Sequence, residues 1–134
     1  MTINEYDNNS TEKQYKFADS INTRFDVDCL KGIERLMIEN ECFQEVNRFV
    51  IDGLNELKSV TIGEKSFCLD KNNRIGSSCV IMNCDQLNEI HFGNGSFFYY
   101  ESFELKNLPT LISIQLGEAA FCACHRVVFD SMND

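Results

Sequence analysis

The sequence predicts a mainly β solenoid with two short parallel strands in each coil of 24 residues. Three observations predict it. Leu57-Lys-Ser-Val60-Thr-Ile62-Gly63, Leu87-Asn-Glu-Ile90-His-Phe92-Gly93 and Leu111-Ile-Ser-Ile114-Gln-Leu116-Gly117 share one pattern, and each is followed by a small residue and Phe, at Ser66-Phe67, Ser96-Phe97 and Ala120-Phe121. The pattern returns every 24 residues, with one interval of 30 from Leu57 to Leu87, and Ile33-Glu-Arg-Leu36-Met-Ile38 with Cys42-Phe43 extends it backwards. Within each segment apolar and polar residues alternate with period 2, the signature of a half-buried strand.

Seven apolar columns follow once a six-residue insertion within Cys68 to Ser78 is allowed for. They run Leu30, Leu54, Cys84, Leu108, Met132; Ile33, Leu57, Leu87, Leu111; Leu36, Val60, Ile90, Ile114; and Ile38, Ile62, Phe92, Leu116. The fifth is Phe43, Phe67, Phe97, Phe121; the sixth Phe25, Phe49, Cys79, Phe103, Val127; the seventh Val27, Ile51, Ile81, Leu105, Phe129. Every position is apolar in a chain that is 43% apolar overall, so chance does not explain the register. One such coil cannot bury its apolar side alone, and stacked coils place like residues over like. Residues 23–134 thus read as about four and a half repeats.

The first strand of each coil turns Val60 and Ile62 inward and Ser59 and Thr61 outward. The second turns Phe49 and Ile51 inward and Arg48, Val50 and Asp52 outward. Two parallel sheets result, with strands about 4.8 Å apart. Gly63, Gly93 and Gly117 end the first strand, at a corner expected to need a backbone shape that Gly takes cheaply. Glu39 breaks that column.

Residues 1–22 fall outside the repeat. They read either as a polar tail or as a short capping helix, with Thr11 and Gln14 as a capping box and Tyr15, Phe17, Ala18 and Ile21 as its apolar face. The insertion at residues 68–78 is rich in Gly, Asn and Ser and reads as a surface loop, one whose removal a solenoid tolerates or one that carries binding. At the other end Met132 opens a new coil, so the last coil is expected to show an open strand edge through which copies can associate. The chain then reads as a very short array or as a piece of a longer one.

The run L-x-x-L-x-x-I-x-I-G-x-x-S-F resembles the leucine-rich repeat superfamily, and it is most similar to the BspA-like, surface-antigen branch. Leu57, Val60 and Ile62 match the strand of that pattern, and residues 25 to 132 are covered. Gly stands where typical repeats carry Asn, and only Phe121-Cys122-Ala123-Cys124 offers the Phe-x-x-Cys step. The resemblance implies protein binding on the solenoid surface and supplies no catalytic residues.

The net charge of −9 argues against nucleic acid as a partner, because neutralising phosphate needs Lys and Arg. No secretory signal is visible, and no apolar run reaches the roughly 20 residues that span a bilayer. Seven cysteines without a signal point to reduced thiols and a cytoplasmic location. Cys122-x-Cys124-His125 is the one constellation resembling a metal or redox site, but its spacing fits zinc poorly. Cys79 and Cys84 stand in core columns as small hydrophobes. No enzyme activity and no cofactor are expected. The reading is a non-catalytic protein-binding or scaffolding module; the alternatives are a fragment of a structural or adhesive surface array, and a metal or redox site at Cys122, Cys124 and His125. Binding is expected at Val50, Val80, Met82 and Val128, an apolar streak on the outer face of the second strands, with Lys71 and Arg74 of the insertion. The plain alternative is that β-branched residues simply suit strands.

Overall fold

A computed structural model describes residues 4–7, 14–17, 25 and 30–132, with side chains at 25 and 30–130. The chain is mainly β. Its strands are β1 (Asn4–Asp7), β2 (Gln14–Phe17), β3 (Arg35–Ile38), β4 (Arg48–Asp52), β5 (Ser59–Ile62), β6 (Ser78–Met82), β7 (Glu89–Phe92), β8 (Ser102–Leu108), β9 (Ser113–Leu116) and β10 (Arg126–Met132). From β3 onward the chain alternates between two sheets. One has the order β1-β2-β3-β5-β7-β9 and the other β10-β8-β6-β4. Every pairing is parallel except β1 with β2. Among the described residues no helix is long and apolar enough to cross a membrane.

The register is the one the columns require. Leu36 pairs with Val60, Val60 with Ile90 and Ile90 with Ile114 in the first sheet. Phe49 pairs with Cys79, Cys79 with Phe103 and Phe103 with Val127 in the second. Inward side chains of the two sheets meet in one continuous core from Leu30 to Phe121. Each fully buried Leu, Ile or Phe contributes about 1.5–3 kcal/mol. Only the last coil departs, leaving Leu116 47%, Val127 57% and Phe129 50% exposed, because no strand lies beyond β9 and β10 among the described residues.

The Phe column holds the corner between the sheets. Phe43, Phe67, Phe97 and Phe121 all have φ of 54–55°. The left-handed region costs an L-residue roughly 1–2 kcal/mol. The rings stack from one repeat to the next: Phe43 on Phe67 at 5.1 Å, Phe67 on Phe97 at 4.9 Å and Phe97 on Phe121 at 4.9 Å, with interplanar angles of 12°, 4° and 2°. The backbone N–H groups of Phe67, Phe97 and Phe121 donate to Cys42, Ser66 and Ser96 carbonyls one coil back. The small residue before Phe has its own task. Ser66 is buried, accepts from the Cys42 N–H at 3.1 Å and donates to the Glu39 carbonyl at 2.6 Å.

Three expectations are corrected. First, Gln14–Phe17 is a strand rather than part of a capping helix, pairing Tyr15 with Leu36 and Phe17 with Ile38. Alternating apolar residues beside an open parallel edge extend that sheet, and β1 closes it with an antiparallel hairpin. Thr11, Ala18 and Ile21 of the proposed helix lie outside the described residues. Second, Gly63, Gly93 and Gly117 do not have positive φ. A Cβ on Gly63 would lie 2.5 Å from the Glu39 carbonyl carbon and 2.6 Å from the Asn40 nitrogen, and one on Gly93 would lie 2.9 Å from the Glu64 nitrogen. Glycine is needed because the coils touch backbone to backbone there, not because of a special backbone shape.

Third, Ser59 is 8% exposed rather than outward in solvent. It lies between Arg35 and Glu89 of the neighbouring strands. The insertion is a surface loop that is tied down at both ends. Leu69 is buried and its N–H bonds to the Phe98 carbonyl at 3.0 Å. Asp70 accepts from the N–H groups of Asn72 and Asn73, and Gly76 N–H donates to Glu101 at 2.7 Å. The position three beyond Phe is core in the first and third coils, where it is Val46 and Tyr100, but in the second the chain leaves at exposed Asp70. Tyr100 fills the space: it is fully buried, meets the Phe97 ring edge-on at 5.0 Å, and its hydroxyl donates to the Val46 carbonyl at 2.6 Å, two coils back. Burial pushes its phenol well above the usual range. Tyr100→Phe should therefore cost about 1–2 kcal/mol, because it leaves that carbonyl unsatisfied in the core; urea unfolding measures it, and an unchanged midpoint would show that water replaces the bond.

Candidate functional site

The outer face of the second sheet presents side chains in fixed rows. Arg48, Ser78, Ser102 and Arg126 form one row; Val50, Val80, Glu104 and Val128 the next; Asp52, Met82, Lys106 and Asp130 the third. Pleating explains this: residues two apart on a strand share a face, and parallel in-register pairing stacks like positions. Val50 and Val80 are direct neighbours, Met82 lies two positions along from Val80, and all three are half-buried. They form an apolar centre with Arg48, Asp52, Glu104 and Lys106 around it.

Val128 is not joined to that centre. Glu104 stands between it and Val80, held at 3.1 Å from Lys106 Nζ and 3.9 Å from Arg126. Both cationic side chains are well exposed, so these pairs add little to stability, but they place a carboxylate across the row. The four expected residues are thus three together and one apart.

The insertion pair also divides. Lys71 is exposed. Arg74 is engaged: its guanidinium lies 5.3 Å from the Tyr99 ring centroid, and its Nη2 donates to the Ala123 carbonyl at 2.8 Å and meets His125 Nε2 at 3.2 Å. Arginine can only donate, so this contact is a hydrogen bond only where His125 Nε2 is the acceptor. Arg74 therefore straps the insertion to the third and fourth coils rather than extending the valine patch.

The same contact bears on Cys122, Cys124 and His125. His125 Nε2 is occupied by Arg74, while the Cys124 thiol lies 3.3 Å from the Arg126 carbonyl and 3.5 Å from that of Glu101. Cys122 is exposed. Among the described residues no group of three His, Cys, Asp or Glu is placed to hold a metal ion. Burial pushes the Cys79 thiol well above its usual range and raises that of Cys84. Burial also raises Cys68, with Lys65 acting in the opposite direction. These groups stay protonated and are poor nucleophiles.

A feature missed in the sequence is a cleft of about 490 Å³ at the corner after the first strands. Glu64, Lys65, Cys68, Asn94, Phe98 and Glu118 line it. Its signal lay in the alignment. Glu64, Asn94 and Glu118 each follow a corner Gly, and Cys68 and Phe98 each follow a column Phe. The Asn94 side chain accepts from the Glu118 N–H at 2.9 Å, as Asn40 does from Glu64 at 2.8 Å.

Comparison with protein-family models, curated proteins and solved structures finds no match to this chain.

Proposed function

We propose that the chain is a non-catalytic protein-binding or scaffolding module, built as a leucine-rich-type solenoid close to the BspA-like branch. The observation that carries the binding role is the patch on the second sheet. Val50, Val80 and Met82 are contiguous and partly exposed, with Arg48, Asp52, Glu104 and Lys106 around them. An apolar centre with a charged rim is the anatomy of a protein-recognition surface. The parallel sheet holds these side chains in place, so little ordering cost falls on binding. The partner is a protein that offers an apolar side chain to the Val50–Val80 pair. A cytosolic, reducing compartment fits a core that contains the thiols of Cys42, Cys79 and Cys84.

The test compares Val80→Asp with Ser113→Asp, which changes the outer face of the first sheet. Both residues point away from the core, so both variants should keep the wild-type thermal midpoint within a few degrees. Affinity capture with each is then compared with the wild type. Val80→Asp should lose the bound protein and Ser113→Asp should keep it. Identical capture by both variants would overturn the assignment to this face.

A further inference from the structure

The cleft of about 490 Å³ after the first strands takes no part in the patch on the second sheet. It lies on the flank of the stack and crosses the second, third and fourth coils. Its volume falls within the range of about 300–1,000 Å³ in which pockets take up small chemical groups.

One row of the corner opens it. Lys65, Gly95 and Ala119 take equivalent places in the three coils, with φ of 57°, 69° and 61°. The long side chain of Lys65 gives way to none at Gly95 and to a single methyl at Ala119, and the space left is the cleft. The backbone at this corner is already bonded: Lys65 N–H donates to the Asn94 carbonyl at 2.9 Å, and Gly95 N–H donates to the Glu118 carbonyl at 2.8 Å. Recognition in the cleft therefore falls to side chains.

Those side chains divide by chemistry. Phe98 and Cys68 are half-buried and form the apolar part. Glu64 and Glu118 are exposed, one coil before and one coil after Phe98, and among the described residues neither is in an ion pair. Asn94 stands between them. Its Oδ1 accepts from the Glu118 N–H at 2.9 Å, and its Nδ2 lies 3.5 Å from Glu64 Oε1. An aromatic ring with a carboxylate on either side along the stack is complementary to a flat cation that has several donors. The ring attracts a cation to its face. A guanidinium offers five N–H groups to share between two carboxylates, whereas an ammonium has three and is more strongly hydrated. An uncharged apolar group would cover Phe98 but desolvate the carboxylates without compensation. An anion would meet two carboxylates and only Lys65 in its favour. The net charge of −9 draws cations towards the chain at longer range.

The rim is open. Glu64, Lys65, Asn94, Glu118 and Ala119 are all exposed, so a bound group is covered on one side only. Free small ligands are enclosed over most of their surface. A side chain projecting from a larger partner needs no such enclosure.

We propose that this cleft binds an arginine side chain presented by a partner protein, with the guanidinium on the Phe98 ring between Glu64 and Glu118. The site is separate from the patch of Val50, Val80 and Met82, and neither reading depends on the other.

Titration of the isotope-labelled chain with N-acetyl-arginine amide into the millimolar range, followed through its backbone amide resonances, tests the proposal. This probe carries one arginine as it stands inside a polypeptide. Resonances of Lys65, Gly95, Phe98 and Ala119 should shift together and saturate, while those of Val50, Val80 and Met82 stay in place. N-acetyl-citrulline amide has the same shape without the charge and should leave the cleft resonances unmoved. Free arginine should bind no more tightly than the amide, because its own carboxylate faces Glu64 and Glu118. Glu118→Gln and Glu64→Gln should each weaken the arginine probe by about two- to fivefold, the range of an exposed ion pair, and both losses should shrink as salt is raised. Phe98→Leu keeps an apolar side chain but removes the ring, and should weaken the arginine probe more than N-acetyl-lysine amide. The spectrum of each variant reports whether it is folded. Glu64 and Glu118 are exposed, so their variants carry the test if Phe98→Leu is unfolded. Citrulline binding as tight as arginine binding, tighter binding of free arginine, an affinity unchanged by Glu64→Gln and by Glu118→Gln, or cleft resonances that never shift would each overturn the proposal.

Discussion

Phe97→Ala should lower the stability of the chain by about 3–5 kcal/mol, the range for emptying a buried Phe site. Phe97 is fully buried and touches more rings than its place in one coil suggests. It is sandwiched between Phe67 and Phe121 at 4.9 Å on either side, meets Tyr100 edge-on at 5.0 Å, and lies against Phe92 at 4.9 Å and Phe49 at 5.4 Å. The side chains around the cavity come from four coils, each held by its own hydrogen bonds to its neighbours, so the site cannot collapse to refill the space. Total stability of a domain this size is about 5–15 kcal/mol, so the loss removes a large share of it and should move the unfolding midpoint well down. Urea denaturation followed by circular dichroism measures it. A midpoint equal to wild type would contradict the stacked column.

Gly63→Ala should cost about 3 kcal/mol, at the upper end for overpacking, although it adds one methyl group. Its Cβ would lie 2.5 Å from the Glu39 carbonyl carbon, and that neighbour is backbone, which has no rotamer to escape into. Relief requires the first and second coils to separate, which lengthens the Gly63 N–H bond to the Ile38 carbonyl, now 2.7 Å, and the Glu64 N–H bond to Asn40. Gly53→Ala is the contrast. A Cβ there meets nothing within 4 Å, but its φ is +79°, so only backbone strain of roughly 1–2 kcal/mol applies. A thermal melt of both variants should place Gly63→Ala lower. The reverse order would mean that corner glycines serve backbone shape after all.

Most of the fold was legible because it is periodic. Apolar residues at fixed offsets gave the strands, their inward faces and their register, and the structure pairs Leu36 with Val60 and Phe49 with Cys79 as the columns demand. What escaped was aperiodic or depended on a neighbour. Tyr15 and Phe17 alternate like a strand, but Phe17 to Phe25 spans eight positions where Ile38 to Phe49 spans eleven, so a search at 24 residues passes them by. The reason for Gly63 lies in the Glu39 and Asn40 backbone one coil away, which no local rule contains. Tyr100 belongs to no column, and its role depends on where the second coil leaves the core. At the candidate site, alternation gave the outward face of β4, β6, β8 and β10. The break at Glu104 was also present in its column, between Val80 and Val128, but becomes a barrier only once Lys106 and Arg126 hold its carboxylate in place. Arg74 looked like a loop cation in the sequence; its contacts with Tyr99, Ala123 and His125 come from residues 25 to 51 positions further on.

The left-handed backbone of the Phe column restricts which amino acids that column accepts. The other six columns exchange shapes freely: Ile, Phe and Leu share one, and Phe, Cys and Val another. The fifth is Phe in all four coils, each with φ of 54–55°. Valine or isoleucine occurs in five of the other six columns but is excluded here, because a β-branched residue in that region is a steric outlier. Leucine could adopt the backbone angle but could not stack. A chain lengthened by duplicating its own coils would therefore drift in six columns and stay fixed in one. A run of Phe at the repeat spacing is the part of such a sequence that would outlast the rest, and the mark by which a worn coil could still be counted.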